Sequence, residues 1–219
     1  RDRDIITGSS ARSRLVAHVQ KFLQTQQRII DIVPHTKGEA FEELPAENFV
    51  GHTRAFMKIE DGCNRHCAYC IIPKARGEVR SRAPESVLSE LRRLVKTGYK
   101  EVVLSGINLT CYGNDNGSSL ADIVEAAAEV EGLERIRLGS IEPDLLSNET
   151  LVRLSKIRKL CCQFHLSLQS GCAKTLTAMN RLYTPSEYRS VVEHMRELFD
   201  HAVFTTDVIV GFPGETDAD

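Results

Sequence analysis

From residue 51 onward, β-branched runs alternate with amphipathic stretches of helical period, and this alternation limits the folds open to the chain more than any other feature. Strands are predicted at 55–60 (AFMKIE), 101–105 (EVVLS), 135–140 (RIRLGS), 163–168 (QFHLSL) and 203–210 (VFTTDVIV). Residues 84–97 place Val87, Leu88, Leu91, Leu94 and Val95 on one helical face, with Pro84 in the first turn and Gly98 at the stop. Residues 119–131 do the same with Leu120, Ile123, Val124 and Ala127, followed by Gly132. In 185–199, Tyr188, Val191, Val192, Met195, Leu198 and Phe199 share a face behind Thr184, Pro185 and Glu187, which read as a capping box. Such repeats imply parallel strands joined by crossovers. A (β/α) barrel and a doubly wound sheet both satisfy the pattern, and both gather their chemistry at the C-terminal ends of strands. Upstream, residues 4–24 read as a short strand (DIIT) and a helix carrying Leu15, Val16, Val19, Phe22 and Leu23. Residues 25–50, with Pro34, Gly38 and Pro45 among scattered acids, read as a linker.

Residues 61–70 read D-G-C-N-R-H-C-A-Y-C, so three residues separate Cys63 from Cys67 and two separate Cys67 from Cys70. The triad starts just past the first strand of the repeating unit. Thiolates are soft donors that suit iron–sulfur clusters or zinc. A closed zinc site takes four ligands, and electron-transfer clusters also use four cysteines. Three cysteines leave one iron without a protein ligand, open to a small molecule. His66, inside the tight loop, is badly placed to be a fourth ligand, and Cys111 is a distant candidate. The plain alternative is three buried small hydrophobes; the polar Asn64, Arg65 and His66 between them argue against it.

Seven cysteines, three of them clustered, do not make the even, dispersed set of a disulfide framework. A reducing, cytoplasmic setting is expected. No run of 18 apolar residues suggests a membrane span. A net charge of −2, from 28 basic and 30 acidic residues, argues against a domain that supplies most of the grip on a nucleic acid. The opening RDRDIITGSS lacks both a Met and the layout of a signal peptide, and the chain stops at GETDAD where a helix is due. Both ends read as cuts in a longer chain.

C-x-x-x-C-x-x-C after the first strand of a β/α repeat resembles the radical S-adenosylmethionine (SAM) superfamily. The runs CNRHCAYCIIPKARGEVRSR (63–82), GYKEVVLSGINLTCYG (98–113), LGSIEP (138–143), HLSLQSG (165–171), MNRLYT (179–184) and DVIVGFPGET (207–216) are similar to the methylthiotransferases of that superfamily. IIPKARG, SGINLTCYG and SIEP point to the MtaB type, whose target is C2 of threonylcarbamoyladenosine beside the tRNA anticodon. The resemblance implies a partial parallel (β/α) barrel over 51–219, truncated at its C-terminal end. Residues 1–24 would be the end of an N-terminal domain, and 25–50 its linker. It implies a [4Fe–4S] cluster on Cys63, Cys67 and Cys70, with SAM on the open iron. Reduction would cleave SAM to a 5′-deoxyadenosyl radical, and the cofactor carries that chemistry. A second [4Fe–4S] cluster is expected in the N-terminal domain, and the partners implied are tRNA and a reducing electron donor. Sister enzymes acting on isopentenyladenosine in tRNA, or on an aspartate of a ribosomal protein, are the near alternatives. A non-catalytic iron–sulfur or zinc module is the alternative of another class.

The resemblance also suggests SAM contacts. Tyr69 would lie near adenine, Gly106 and Asn108 near the methionine part, and Ser140 and Glu142 near the cationic groups. Gln169 and Ser170 would meet the ribose hydroxyls, and Gly211, with Pro213, Gly214 and Glu215, the adenine again. Each could equally be an ordinary strand-to-helix turn. Lys74, Arg76, Arg80 and Arg82 are candidates for the SAM carboxylate or RNA phosphates, or a solvated basic loop. His165 is expected as a packed core histidine, and Cys161 and Cys162 as small buried hydrophobes. Cys111 and Cys172 are expected to pack rather than ligate, and Cys172 stands where the family commonly has Ser.

Overall fold

The chain opens with a strand–helix–strand unit. Strand β1 (Ile5–Thr7), helix α1 (Leu15–Thr25) and strand β2 (Ile29–Asp31) follow in order, and β2 pairs parallel with β1. The stretch read as a linker therefore holds a strand, which three residues of alternation are too few to signal. The computed structural model describes residues 4–45, 49 and 51–219. Residues 1–3, 46–48 and 50 of the expected N-terminal segment and linker lie outside the described residues. The apolar residues of α1 are present, yet none is buried, and Val16 and Leu23 are each 67% exposed.

The rest of the chain is an arc of parallel strands. It runs through β3 (Ala55–Lys58), β4 (Glu60–Asp61), α2 (Ile72–Arg76), β5 (Arg80–Ser81), α3 (Pro84–Lys96), β6 (Glu101–Ser105) and α4 (Leu120–Ala128). Next come β7 (Arg135–Leu138), β8 (Ser140–Ile141), α5 (Asn148–Ser155), β9 (Gln163–Leu166), α6 (Ala173–Ala178), α7 (Pro185–Leu198) and β10 (Val203–Thr205). Strand β6 pairs parallel with β3 and β7, and β9 pairs parallel with β8 and β10. An Ile136–Leu160 bridge joins the two sets. Neighbours thus follow chain order with no reversal, as in a barrel; a doubly wound sheet would reverse direction at a switch point.

Two predicted strands are broken, and both breaks bear on the site. At Ile59 the chain leaves the arc, and β4 pairs antiparallel with β5. At Gly139 the third strand is interrupted, its N–H donating to Leu104 O at 2.8 Å. The fifth strand ends at Thr205, with only a bridge from Val208 to Gln169 beyond it.

Alternate strand residues face the helices. Met57, Leu104, Leu138, Phe164 and Leu166 are buried there with Leu91 of α3, Ile123 of α4 and Met195 of α7. The opposite, concave face is half-exposed and carries Phe56 and Val103 beside an ionic cluster in which Glu101 pairs with Arg135 (2.8 Å) and Arg137 (2.6 Å). The predicted capping box forms: Thr184 accepts from Glu187 N–H, and Glu187 accepts from Thr184 N–H at 2.7 Å. Helices α2, α5 and α6 were not predicted. Of these, α5 is started by Ser147, whose hydroxyl accepts from Thr150 N–H, and it buries only Leu151 and Leu154, too few for a clear periodic signal.

Leu104 lies in a central strand and is fully buried. Leu104→Ala is expected to lower unfolding free energy by about 2–5 kcal/mol. Urea unfolding reads this as a lower midpoint, and an unchanged midpoint would contradict the central placement.

Candidate metal centre

Cys63, Cys67 and Cys70 lie on the loop that leaves β4 at the C-terminal end of the first barrel strand. The loop is pinched at its base by the β4–β5 pairing. Cys63 N–H donates to Gly77 O at 3.1 Å, and Val79 N–H to Asn64 Oδ1 at 3.0 Å. Gly62 has φ +85°, and a Cβ there would come within 2.0 Å of Glu78 O. Only glycine permits that approach.

Asp61 holds the pinch electrostatically. Its carboxylate accepts from Lys58 Nζ at 2.6 Å and Arg76 Nη1 at 2.9 Å, with Arg12 and Arg80 further out. Burial alone would raise its pKa; Lys58 and Arg76 hold it below the usual carboxylate value. Arg82 pairs with Glu90 and Glu43. Of the four basic residues proposed for SAM or RNA, three are therefore spent on internal carboxylates, and Lys74 alone is exposed. The loop is neither a solvated basic patch nor a ready anion site.

The tip of the loop is braced by residues 179–181, downstream of α6. Met179 O accepts from Ala68 N–H at 2.9 Å, and Asn180 Nδ2 donates to His66 O at 2.8 Å. Arg181 Nη1 lies 3.4 Å from Cys67 Sγ, while its Nη2 pairs with Glu142. Glu142, expected to face a cation of SAM, thus already has a cation beside it. These three residues occur in the MNRLYT run, but nothing in their spacing announced a brace.

Beside Cys63 sits a buried polar pair. Glu60 Oε2 accepts from Asn108 N–H at 2.8 Å, and a Cβ on Gly106 would come within 2.5 Å of the same oxygen. The glycine is thus explained by the Glu60 carboxyl. Glu60 Oε1 and Asn108 Nδ2 are buried without a partner. Burial pushes the Glu60 pKa up to about 8, so the carboxyl is neutral at pH 7. Cys111 is buried nearby, its thiol pushed up to about 12 by burial.

The other predicted contacts sit on neighbouring strand ends. Tyr69, 39% exposed, meets Phe212 edge-on at 6.4 Å, joining the cysteine loop to the Gly211 turn of the fifth strand. Burial pushes its hydroxyl up to about 12. Gln169 adopts φ +67° and exchanges backbone hydrogen bonds with Asp207 and Ile209. Ser170 is buried, its hydroxyl accepting from Cys172 N–H at 3.1 Å. Ser140 is exposed on the concave side. His165 is not a core residue: it lies half-buried, 3.2 Å from Thr205 Oγ1. Cys161 and Cys162 are likewise half-buried.

The donor set fits an iron–sulfur cluster. Three thiols share one tight loop, beside two buried polar atoms that lack partners. Among the described residues no three His, Cys, Asp or Glu side chains converge as ligands of a single ion. A cluster that spreads its thiolates over separate irons does not require such convergence.

The Radical SAM superfamily profile matches residues 57–219. The chain belongs to the radical SAM superfamily. Among its relatives, a tRNA-2-methylthio-N(6)-dimethylallyladenosine synthase of Pelotomaculum thermopropionicum is 39% identical over 99% of this chain and 48% of its own. A threonylcarbamoyladenosine tRNA methylthiotransferase MtaB of Chlamydia pneumoniae is 39% identical over 100% of this chain and 50% of its own. The chain thus spans about half the length of these curated relatives. The fold is also that of the radical SAM methyltransferase TsrM of Kitasatospora setae, solved with cobalamin and a [4Fe–4S] cluster. That match has a TM-score of 0.60 at 17% identity, covering 74% of this chain and 32% of TsrM.

A neutral Glu60 in this radical SAM core has a measurable consequence. Between the free carboxyl value near 4.5 and the folded value of about 8, the folded state holds one proton more than the unfolded state. Stability therefore falls as pH rises through that window, by up to about 1.4 kcal/mol per unit. Glu60→Gln is expected to remove this slope, so the variant gains on the parent from pH 5 to 8 in urea unfolding. Parallel curves for the two proteins would contradict a neutral Glu60.

Proposed function

We propose that Cys63, Cys67 and Cys70 hold a [4Fe–4S] cluster and that the protein is a tRNA methylthiotransferase acting at C2 of threonylcarbamoyladenosine. Residues 1–24 would close an N-terminal domain carrying a second cluster, 25–50 would link it, and 51–219 would form the radical SAM core. The observation that carries this reading is the pinched, braced three-thiol loop at the C-terminal end of the first strand of a parallel arc. When bound, a cluster with an open iron supplies the electron that cleaves SAM to a 5′-deoxyadenosyl radical.

The chain's own residues position and shield. The pinch at Asp61 and the brace at 179–181 fix where the three thiols point. Tyr69 and Phe212 form an aromatic edge between the cysteine loop and the Gly211 turn, suited to an adenine ring. Asn108 Nδ2 is an unspent buried donor, and the neutral Glu60 carboxyl beside it adds no second negative charge next to the thiolates. Gln169 and Ser170, at the end of the fourth strand, would meet the ribose hydroxyls. No helix of the described residues is long and apolar enough to cross a membrane. The proposed enzyme would work in the cytoplasm, where it meets tRNA and an electron donor.

The dimethylallyladenosine reading stays in view because a relative of that name is as similar as one of the MtaB name. Mass spectrometry of tRNA nucleosides from a deletion strain separates the two. Loss of the methylthio form of threonylcarbamoyladenosine is expected, restored by the intact gene and not by Cys70→Ala. Loss of the methylthio form of isopentenyladenosine would overturn the choice of target, and no change in either would overturn the tRNA reading.

A further inference from the structure

Arg181 bridges a thiol and a carboxylate. One arm of its guanidinium donates toward Cys67 Sγ at 3.4 Å, and the other pairs with the Glu142 carboxylate. Its side chain is only 5% exposed. Tyr183 holds it from below: the hydroxyl lies 3.0 Å from Nη2, and the ring lies 4.9 Å from the guanidinium carbon. The same hydroxyl shares its one proton between the carbonyls of Ser167 (2.7 Å) and Leu168 (2.8 Å), just past β9. The guanidinium is therefore fixed in place before any cofactor arrives. A solvated arginine would hold such a position at a large cost in side-chain entropy.

A cation and N–H donor aimed at a cysteine sulfur has a defined effect once that sulfur ligates iron. It withdraws electron density from the thiolate and favours the reduced state, which carries one more negative charge. Glu142 opposes this in part, and its distance from Cys67 is set by the same arginine.

We propose that Arg181 is a tuning residue that raises the reduction potential of the cluster on Cys63, Cys67 and Cys70 through its contact with Cys67. This rests on the reading of those cysteines as cluster ligands. Arg181 is a positioning residue, since it touches a ligand rather than substrate.

The test is an EPR-monitored redox titration of the anaerobically reconstituted protein without SAM, for the parent, Arg181→Lys, Arg181→Gln and Tyr183→Phe. Arg181→Gln is expected to disfavour reduction at least tenfold, a fall of about 59 mV for one electron. Arg181→Lys keeps the charge and is expected to recover part of that loss. Tyr183→Phe keeps the guanidinium but frees it, and is expected to fall between the two. Should Arg181→Gln fail to fold, Tyr183→Phe and Arg181→Lys still carry the comparison. Clusters that assemble in the variants with the parent's midpoint would overturn the inference and leave the ligand assignment standing. A parent protein that takes up no cluster would overturn the ligand assignment, and the inference with it.

Discussion

The carboxylate of Asp61 draws Lys58, Arg76, Arg80 and Arg12 toward one nearly buried point at the root of the cysteine loop. These cations come from the first barrel strand, the helix after the cysteines, the returning β5 strand and the segment before α1. A single acid thereby ties both ends of the loop to the barrel and to the N-terminal unit. Asp61 is nearly buried while Lys58, Arg76 and Arg12 stay partly exposed, so loss of these cations would leave the Asp61 charge uncompensated. The close approach of Gly62 to Glu78 adds a steric condition on the same spot. These two constraints set the base of the loop, beside Cys63, before any metal contributes.

The opposite end of the loop is held by a different part of the chain. Met179, Asn180 and Arg181 reach it from beyond the fourth strand, and Tyr69 touches the turn after the fifth. The first, fourth and fifth strands are thus connected across the concave face through the cysteine loop. A cluster on the three thiols, as proposed, would be anionic, and the charge nearest them suits it. Arg181 is buried against Cys67, while burial keeps Glu60 neutral beside Cys63.

The fold was readable wherever a helix had a long apolar stripe or a strand fell in the alternation with such helices. The five barrel strands, α3, α4, α7 and the Thr184 cap follow from period and capping chemistry alone. Some short elements were not readable: β2 offers three alternating residues, and α5 buries only two leucines. The cysteine ligand candidates were legible because thiols at that spacing have few other uses. The supporting contacts were not, since they join residues more than a hundred positions apart, as Asn180 to His66 and Arg181 to Cys67. The basic run 74–82 misled for a related reason. Its charges look available in sequence, but Asp61, Glu43 and Glu90 take three of them.

The central claim is that three thiols hold a cluster whose remaining iron is left for SAM. Anaerobic reconstitution with iron and sulfide, followed by EPR of the reduced protein with and without SAM, tests it most directly. The account predicts a [4Fe–4S]+ signal that changes shape when SAM is added. A signal indifferent to SAM, or stoichiometric zinc in place of a cluster, would contradict it.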